Sequence, residues 1–249
     1  MKNIFEEIST HPSKKDKEKK HKLQKQTEKY VEKIRELQHV LYAENKHSLL
    51  IVLQGMDASG KDGATKAVFA SVNPQGVSVK SFKKPTELEL SHDFLWRIHQ
   101  ECPETGMIKV FNRSHYEDLL VPMVYGGVSA QALQRRVEYI NSFERMLHDN
   151  KTTILKFYLH VSEKEQQKRF EERLTNPEKN WKFNKADMET AKLWPSFRRA
   201  YQRVFDECGE TPWHIIPSDE NWYKKYLITK KVAETLESLD LQYPKLKAT

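Results

Sequence analysis

The segment Leu49-Leu-Ile-Val-Leu-Gln54 runs directly into Gly55-Met-Asp-Ala-Ser-Gly-Lys-Asp-Gly63, and this stretch decides the fold. Its first part is almost wholly apolar, which is typical of a strand buried on both faces of a parallel sheet. Its second part contains Gly-x-x-x-x-Gly-Lys, the pattern of a glycine-rich phosphate loop, and a helical pattern follows over residues 64–71. Strand, loop and helix in this order predict a phosphate site, because a chance match to the bare pattern lacks these flanks.

The loop has the parts that hold phosphate oxygens. Glycines let it wrap tightly and turn several backbone N–H groups toward one point, which the positive end of the following helix also faces. The Lys side chain of the motif adds a mobile positive charge at that point. We therefore expect phosphate contacts from Ala58, Ser59, Gly60, Lys61, Asp62 and Gly63 in the loop, and from Lys66 on the helix.

One position of the loop departs from the usual motif. A Ser or Thr normally follows the Lys and binds Mg²⁺, whereas here that position is Asp62. Asp57, inside the loop, is then the natural candidate for a metal ligand. Because a carboxylate among phosphate-binding amides would repel substrate unless a cation lay between them, we infer a Mg²⁺ that bridges Asp57 and phosphate.

Length and composition indicate one large α/β domain with an appendage. The chain has 249 residues, 38% of them hydrophobic and 31% charged, and it has no apolar run long enough to span a membrane. We see no signal-peptide core, and Cys102 and Cys208 form no metal-type or redox pair, so a reducing cytoplasm is expected. The net charge of +7 favours a polyanionic partner, although a solvated basic surface would give the same value.

The N-terminal part of the chain is basic and helical in pattern. Residues 14–25 are rich in lysine, and apolar residues recur at helical spacing from Tyr30 to Leu41. We expect one long helix from about Lys14 to Ala43, with its apolar stripe packed against this subunit or a neighbouring one. The lysines suit either a solvated helix face, which we favour slightly, or electrostatic capture of a polyanion.

Strands and helices are predicted to alternate after the loop. Further strands are expected at residues 77–82, 107–111, 153–160 and 211–216. Helices are expected at residues 86–101, 129–150, 163–174, 186–208 and 221–239, with Pro195 kinking or restarting the fourth. This alternation behind a phosphate loop predicts an α/β P-loop kinase fold, with a five-stranded parallel sheet flanked by helices. We assign residues 46–249 to this domain and residues 1–45 to a basic N-terminal helical extension.

Charged side chains follow the predicted second and third strands. In open parallel sheets ligands bind beyond the carboxyl ends of the strands, so Lys83 is a candidate for a second phosphate contact. Arg113 follows the third strand, and its guanidinium suits the stabilisation of charge on a transferring phosphoryl group. The structural alternative is that Arg113 merely holds the turn through an ion pair with Glu117 or Asp118.

A helical lid is predicted at about residues 162–190. A helix that carries Arg169 and Arg173 follows the fourth strand, and a polar, basic segment broken by Pro177 comes after it. Closure of such a segment would bring positive charge onto phosphates and expel water. The alternative is a mobile surface excursion with no function.

The chain resembles the polyphosphate kinase 2 family from about residue 30 onward. The resemblance rests on the phosphate loop together with six further motifs in the same order. These motifs are Asn73-Pro-Gln-Gly76, Ser81-Phe-Lys83 with Pro85, Glu89-Leu-Ser-His-Asp-Phe-Leu-Trp-Arg97, Phe111-Asn-Arg-Ser-His-Tyr-Glu117, Asn176-Pro-Glu-Lys-Asn-Trp-Lys182, and Pro212-Trp with Ile216-Pro217.

The resemblance implies Mg²⁺-dependent phosphoryl transfer between inorganic polyphosphate and a nucleotide. Asp57, with Glu117, would orient the metal, and Lys61 and Arg113 would stabilise the transferring group. Lys83 would contact phosphates as well. The implied lid residues are Arg169, Arg173, Lys179 and Lys182. The family also hints at a homo-dimer or homo-tetramer, with no membrane and no specific nucleic acid as partner.

Asn112 and Glu117 are diagnostic within the resemblance. Many relatives that act on nucleoside diphosphates have Asp and Asn at these places, whereas the pair seen here resembles the subgroup that also phosphorylates monophosphates. We expect AMP and ADP as acceptors, with GMP and GDP as further candidates, and we expect Asn112, Arg113 and Glu117 to contact the nucleotide. Met123 and Asn221 depart from the family, since Arg and Lys respectively are frequent there.

Two other functions remain open at this point. An ATP-dependent nucleoside monophosphate kinase of similar fold would need an adenosine site beside the phosphate loop and would ignore polyphosphate. A non-enzymatic polyanion-binding protein would use the basic N-terminal helix on nucleic acid, and the context of the phosphate loop argues against it.

Overall fold

The protein is described here by a computed structural model, which covers residues 4–246. Residues 1–3 of the predicted N-terminal extension and residues 247–249 of the predicted kinase domain lie outside this range. The strands are β1 (Ser48–Gln54), β2 (Val77–Ser81), β3 (Ile108–Asn112), β4 (Thr152–His160) and β5 (Trp213–Pro217). The helices are α1 (Ile4–Glu7), α2 (Lys14–Glu18), α3 (Lys20–Glu44), α4 (Lys61–Phe69), α5 (Glu87–Leu90), α6 (Trp96–His99), α7 (Glu117–Tyr125), α8 (Ala130–Asp149), α9 (Glu163–Thr175), α10 (Lys185–Ala191), α11 (Trp194–Glu207) and α12 (Asn221–Ser238).

The five strands form one parallel sheet in the order β2-β3-β1-β4-β5. Strand β1 is central and every one of its residues is buried, as its apolar sequence predicts. Because all strands are parallel, their carboxyl ends lie at one edge of the sheet, and β1 delivers the phosphate loop to the middle of that edge. The predicted P-loop kinase architecture is therefore confirmed.

Helices cover both faces of the sheet. Leu50 and Val52 of β1 belong to one core, which α1, α7, α8 and α11 cover. Leu49, Ile51 and Leu53 belong to a second core under α3, α4 and α12. This division follows from the period of two along a strand, which sends successive side chains to opposite faces.

The N-terminal helix packs within its own subunit. Ile34 and Leu41 of α3 are fully buried in the second core, so the apolar stripe of this helix covers the sheet of the same chain. The predicted single helix is interrupted at Lys19, where α2 ends and α3 begins. Within residues 4–246, no helix combines the length and the apolar character needed to cross a bilayer.

Three local features differ from the predicted pattern or refine it. The helix expected over 86–101 is two short helices, α5 and α6, although the predicted cap at Thr86 is present as a reciprocal capping box with Glu89. The long helix expected over 186–208 is divided into α10 and α11, and Pro195 lies in the first turn of α11. Helix α7 was not predicted, because Pro122 within it conceals a helical pattern.

Candidate active site

A basic cleft of about 1390 Å³ lies at the carboxyl edge of the sheet. Ten Lys and Arg side chains line it, against four Asp and Glu side chains, so it suits a polyanionic ligand. Most of the predicted site residues meet here, although they come from segments far apart in the sequence. They are Asp57, Ala58, Gly60, Lys61, Asp62, Gly63, Lys83, Asn112, Arg113, Arg169, Arg173, Lys179 and Lys182.

Gly60 and Lys61 give the phosphate loop its shape. Gly60 has φ +94°, a left-handed conformation in which a side chain would be strained, and it precedes the first turn of α4. The Nζ of Lys61 donates to the carbonyl oxygens of Gly55 (2.8 Å) and Met56 (3.2 Å), which ties the loop back on itself. Burial and the nearby Arg113 lower the pKa of Lys61 to about 8.

Two further cations support the loop from the side of α9 and α12. Lys224 is buried, and its Nζ donates to the carbonyl oxygen of Ser59 (3.2 Å) and to Asn221 Oδ1 (3.0 Å). Burial and the neighbouring Arg169 lower the pKa of Lys224 to about 7. A Cβ on Gly60 would lie 2.2 Å from this Nζ, so the glycine also makes room for the lysine.

Arg169, predicted as a lid residue, lies on α9 and contacts the phosphate loop. Its guanidinium donates to the carbonyl oxygens of Ala58 (2.9 Å), Ser59 (3.1 Å), Ser218 (2.7 Å) and Asp219 (3.2 Å). The side chain thus fastens the phosphate loop to the turn after β5. Its two terminal nitrogens donate to backbone acceptors and its Nε donates to Glu165 Oε1 at 2.9 Å, so in this structure the side chain holds the loop.

Sequence reasoning missed Lys224. The available signal was its place one helical turn after Asn221, near the start of the helix that follows β5, since that end of the helix lies at the ligand-binding edge of the sheet. The Asn221 amide oxygen accepts a hydrogen bond from this lysine one turn later.

Asp57, Arg113 and Glu117 form a charged group beside Lys61. Arg113, at φ +62°, donates from Nη2 to Asp57 Oδ1 at 2.6 Å. Glu117 is partly buried, and loss of solvent raises its pKa although Arg113 and Lys61 oppose the shift. The Gln54 amide, oriented to satisfy its neighbours, donates to Glu117 Oε1 at 3.1 Å. The alternative in which Arg113 only holds its turn through Glu117 or Asp118 is not what is seen, because Arg113 reaches the phosphate loop.

The donor set at Asp57 and Glu117 suits a hard divalent cation. Within residues 4–246 there is no cluster of three or more His, Cys, Asp or Glu side chains that could bind a metal by itself. Mg²⁺ is usually held by one or two carboxylates together with water and substrate phosphates, so two carboxylates beside a phosphate loop fit this ion. Both carboxylates already face cations, which shows that this position tolerates positive charge.

A buried network fixes the turn that carries Arg113 and Glu117. Glu144 on α8 accepts from the hydroxyl of Tyr116 (2.6 Å) and from Lys156 on β4 (2.9 Å), and it lies 3.3 Å from His115. Burial opposes ionisation of Glu144, but these partners lower its pKa to about 2. Because His115 and Tyr116 are within the turn, this network holds its backbone in place.

Three other predicted lid residues, Arg173, Lys179 and Lys182, pair with nearby carboxylates. Arg173 bonds to Asp187 (2.8 Å), and Lys179 bonds to Glu172 (2.7 Å). Lys182 reaches across the cleft to Asp62 Oδ2 at 3.2 Å, and Asn112 donates to the other oxygen of that carboxylate at 2.7 Å. Burial tends to raise the pKa of Asp62, but the hydrogen bonds from Lys182 and Asn112 outweigh it and lower that pKa.

Three predicted site residues do not line the cleft. Lys66 lies exposed on α4, and Ser59 is buried with its hydroxyl lacking a partner among the described residues. Glu117 lies beside the cleft residues Asp57 and Arg113 and interacts with them electrostatically. Of the three, only Glu117 is placed to act on charges in the cleft.

Known proteins are similar to this chain in sequence and in fold. Residues 15–244 match the family model of polyphosphate kinase 2. An AMP/ADP-polyphosphate phosphotransferase of Meiothermus ruber is 50% identical over 214 residues, which is 85% of this chain and 80% of that protein. An ADP-polyphosphate phosphotransferase of Rhodopseudomonas palustris is 42% identical over 228 residues, which is 86% of this chain and 79% of the other. The crystal structure of polyphosphate kinase 2 from Arthrobacter aurescens TC1 matches with TM-score 0.87 and 38% identity, and it covers 90% of this chain and 81% of that one.

Proposed function

The chain belongs to the polyphosphate kinase 2 family, and we propose that it transfers phosphoryl groups from inorganic polyphosphate to both AMP and ADP. Membership makes it a polyphosphate:nucleotide phosphotransferase. The observation that carries the finer proposal is the basic cleft around the phosphate loop, since ten cations suit a donor made only of linked phosphates. The relative from Meiothermus ruber, named for AMP and ADP, supports this choice of acceptors.

The acceptor specificity is proposed to depend on Asn112 and Glu117. Glu117 adds a carboxylate close to Asp57, and a second carboxylate can hold cationic charge over a short phosphate tail. AMP presents a shorter tail than ADP, so it depends more on this help. Related proteins named for GDP make GDP and GMP candidate acceptors as well.

The proposed chemistry is an in-line displacement in which the protein forms no covalent bond to the phosphoryl group. Mg²⁺, when bound to Asp57 and Glu117, would neutralise phosphate charge near the reacting atoms. Lys61 and Arg113 stabilise the transferring group, and the lid residues Arg173, Lys179 and Lys182 approach the donor from the opposite side. The acceptor phosphate is already ionised, so no strong general base is required, and the same residues serve the reverse reaction.

The setting of the enzyme is also part of the proposal. Cys102 and Cys208 are both free, which suits the reducing cytoplasm, and nucleotides and polyphosphate are the partners proposed there. We keep the prediction of a homo-dimer or homo-tetramer. It rests on the family resemblance alone, because the apolar stripe of α3 is used inside the subunit.

The test is product formation from AMP, and separately from ADP, with Mg²⁺ and long-chain polyphosphate and without ATP. ADP and ATP from AMP, and ATP from ADP, are expected. The matched variant is Glu117→Gln, which keeps the shape of the side chain and removes its charge. We expect kcat/KM for AMP to fall about tenfold more than kcat/KM for ADP.

Two results would contradict the proposal at different levels. Turnover of ADP alone by the wild-type enzyme would keep the family activity and reject the role of Glu117. Turnover only when ATP replaces polyphosphate as donor would reject the polyphosphate reaction itself and favour the nucleoside monophosphate kinase.

A further inference from the structure

The lysine-rich N-terminal segment lies beside the rim of the cleft. Asp219, in the turn before α12, donates its backbone N–H to Thr10 O at 3.2 Å. Tyr223 OH donates to Asp16 Oδ2 at 2.9 Å. The Nζ of Lys20 lies 5.5 Å from the centroid of the Trp222 ring, and Trp222 itself lines the cleft. These contacts place α2 and the start of α3 against the wall that also carries Lys224.

Five lysines of this segment form a patch of exposed positive charge. Within residues 4–246, none of their side chains makes an ion pair with a carboxylate. Two acidic residues lie among them: Asp16 is turned toward Ser13 and Tyr223, and Glu18 is exposed, so the segment keeps a net positive charge. We define the lysine track as the exposed residues Lys14, Lys15, Lys17, Lys19 and Lys20. Five exposed lysines within seven residues of sequence give the segment an excess of positive charge, which a bound polyanion would neutralise.

Positive charge continues from the phosphate loop to this track. Lys224 touches the loop, Lys225 and Trp222 line the cleft one or two residues away along the chain, and Lys20 lies against the outer side of the same wall. A linear polyphosphate longer than the cleft must leave it across a rim. Every unit of that chain carries negative charge and no base, so mobile lysine ammonium groups suffice to bind it.

We propose that the lysine track is a second binding site for polyphosphate, which holds the part of a long chain that extends beyond the cleft past Trp222. The inference rests on the proposed polyphosphate reaction. The track lies outside the reaction centre, so it acts on affinity and capture and leaves the chemical step alone. A donor too short to reach it gains nothing from it.

The test compares two double variants in the full-length enzyme. Lys17→Gln/Lys20→Gln removes two charges from the track. The control Lys46→Gln/Lys245→Gln removes two exposed charges at the amino edge of the sheet, away from the cleft. Lys46 precedes the start of β1. Lys245 follows Gln242, whose backbone N–H contacts Glu44 at the end of α3. KM and kcat are measured with long-chain polyphosphate and with the shortest polyphosphate that supports turnover.

With the long chain, we expect KM of the track variant to rise roughly three- to tenfold, because exposed charge contacts are individually weak and additive over a polyanion. The KM for the short chain should change several-fold less, and the slope of log KM against log salt concentration should become shallower. Lys17→Arg/Lys20→Arg should retain the wild-type KM for the long chain, because it keeps both charges.

The results that would contradict the second site differ from those that would contradict the proposed function. If the track variant matches the control variant for the long chain, or if its KM rises equally for both chain lengths, the second site is rejected while the polyphosphate reaction stands. If the wild-type enzyme makes no product from polyphosphate of any length, the proposed function is rejected and the second site with it.

Discussion

The two walls of the cleft are built in different ways. The phosphate-loop wall is held by the buried Lys61 and Lys224 and the partly buried Arg169, each of which donates to backbone carbonyl oxygens of the loop. The predicted lid is held to the loop by a contact near solvent, although its internal pair of Arg173 with Asp187 is largely shielded. Trp181 of the lid is 77% exposed, and the bond from Lys182 to the loop ends on Asp62, whose side chain is 64% exposed.

The phosphate-loop wall therefore offers phosphate a rigid binding surface, whereas the lid wall offers one that can move. Because these side chains already hold the loop, its backbone N–H groups need little rearrangement when phosphates arrive, and such preorganisation makes electrostatic stabilisation effective. Exposed ion pairs contribute about 0–1 kcal/mol each, so a lid held by them can open and close at small cost. The loop wall should therefore determine the rate of the chemical step, and the lid wall should determine access.

The largest loss of kcat is expected for variants of Asp57 and Arg113, which are proposed to act on the reacting group. Asp57→Asn removes a charge that pairs with Arg113 and is proposed to hold the metal, so kcat should fall about 10³-fold or more. Arg113→Met should lower kcat on a similar scale. The measurement is kcat at saturating AMP and polyphosphate, with Tm as the check on folding. A decrease below about tenfold with an unchanged Tm would mean that these two residues do not carry the chemistry.

A smaller effect is expected when the shape of the loop wall is changed. Gly60→Ala places a side chain at φ +94°, which costs about 1–2 kcal/mol of stability, and its Cβ displaces Lys224. Gly63→Ala is the matched control. A Cβ at Gly63, which lies inside α4, meets nothing within 4 Å, and alanine there should stabilise by about 0.5–1 kcal/mol.

Urea unfolding measures both variants of the loop glycines. The double variant Gly60→Ala/Lys224→Ala separates the two costs at Gly60, because it relieves the contact and keeps the backbone strain. Equal stability of Gly60→Ala and Gly63→Ala would show that the loop wall is not rigid.

Lys224 predicts a pH dependence of stability. Its pKa is about 7 in the folded protein against an ordinary value of 10.5. Between these values the unfolded chain binds more protons than the folded one, so the free energy of unfolding should rise as the pH rises from about 7 to 10.5. Lys224→Met should lose this part of the slope and gain stability relative to wild type at pH 6, while its KM for polyphosphate rises. Parallel stability curves for the two proteins from pH 6 to pH 9 would reject the buried cation.

The loop wall also shows what local sequence can and cannot predict. The order of β1, loop and α4 was predictable because one continuous stretch, residues 49–71, contains the apolar run, the glycines and the helical pattern. Ser162 and Thr86 could be recognised as helix caps for the same reason, since each contacts a residue three positions later. Interactions between residues a few positions apart can be inferred from the local sequence.

The contacts that local sequence does not predict depend on distant parts of the chain. Arg169 has the appearance of a lid cation, yet it bonds to carbonyl oxygens 110 and 111 residues earlier in the chain. Lys224 looks like any polar position of an amphipathic helix until α12 is packed against α4. Helix α7 was missed because propensity disfavours Pro122, whereas packing of Leu119 and Leu120 in the core overrides that preference.

The smallest effect is expected at the contact between the two walls. The ion pair of Lys182 with Asp62 is exposed, so a double-mutant cycle of Lys182→Gln and Asp62→Asn should give a coupling energy below about 1 kcal/mol in unfolding experiments. Lys182→Gln should still raise KM for polyphosphate roughly two- to fivefold, because its charge meets phosphate when the lid closes.

Lys192→Gln serves as the control for the lid contact, since Lys192 is an exposed cation that pairs only with Glu189 three residues earlier on the same helical segment. It should leave KM at the wild-type value. A coupling energy of about 2 kcal/mol or more between Lys182 and Asp62 would mean that the lid is fastened to the loop before substrate binds. The two walls would then be equally fixed, and product release would require breaking that bond in every turnover, so kcat of Lys182→Gln would rise above that of the wild type.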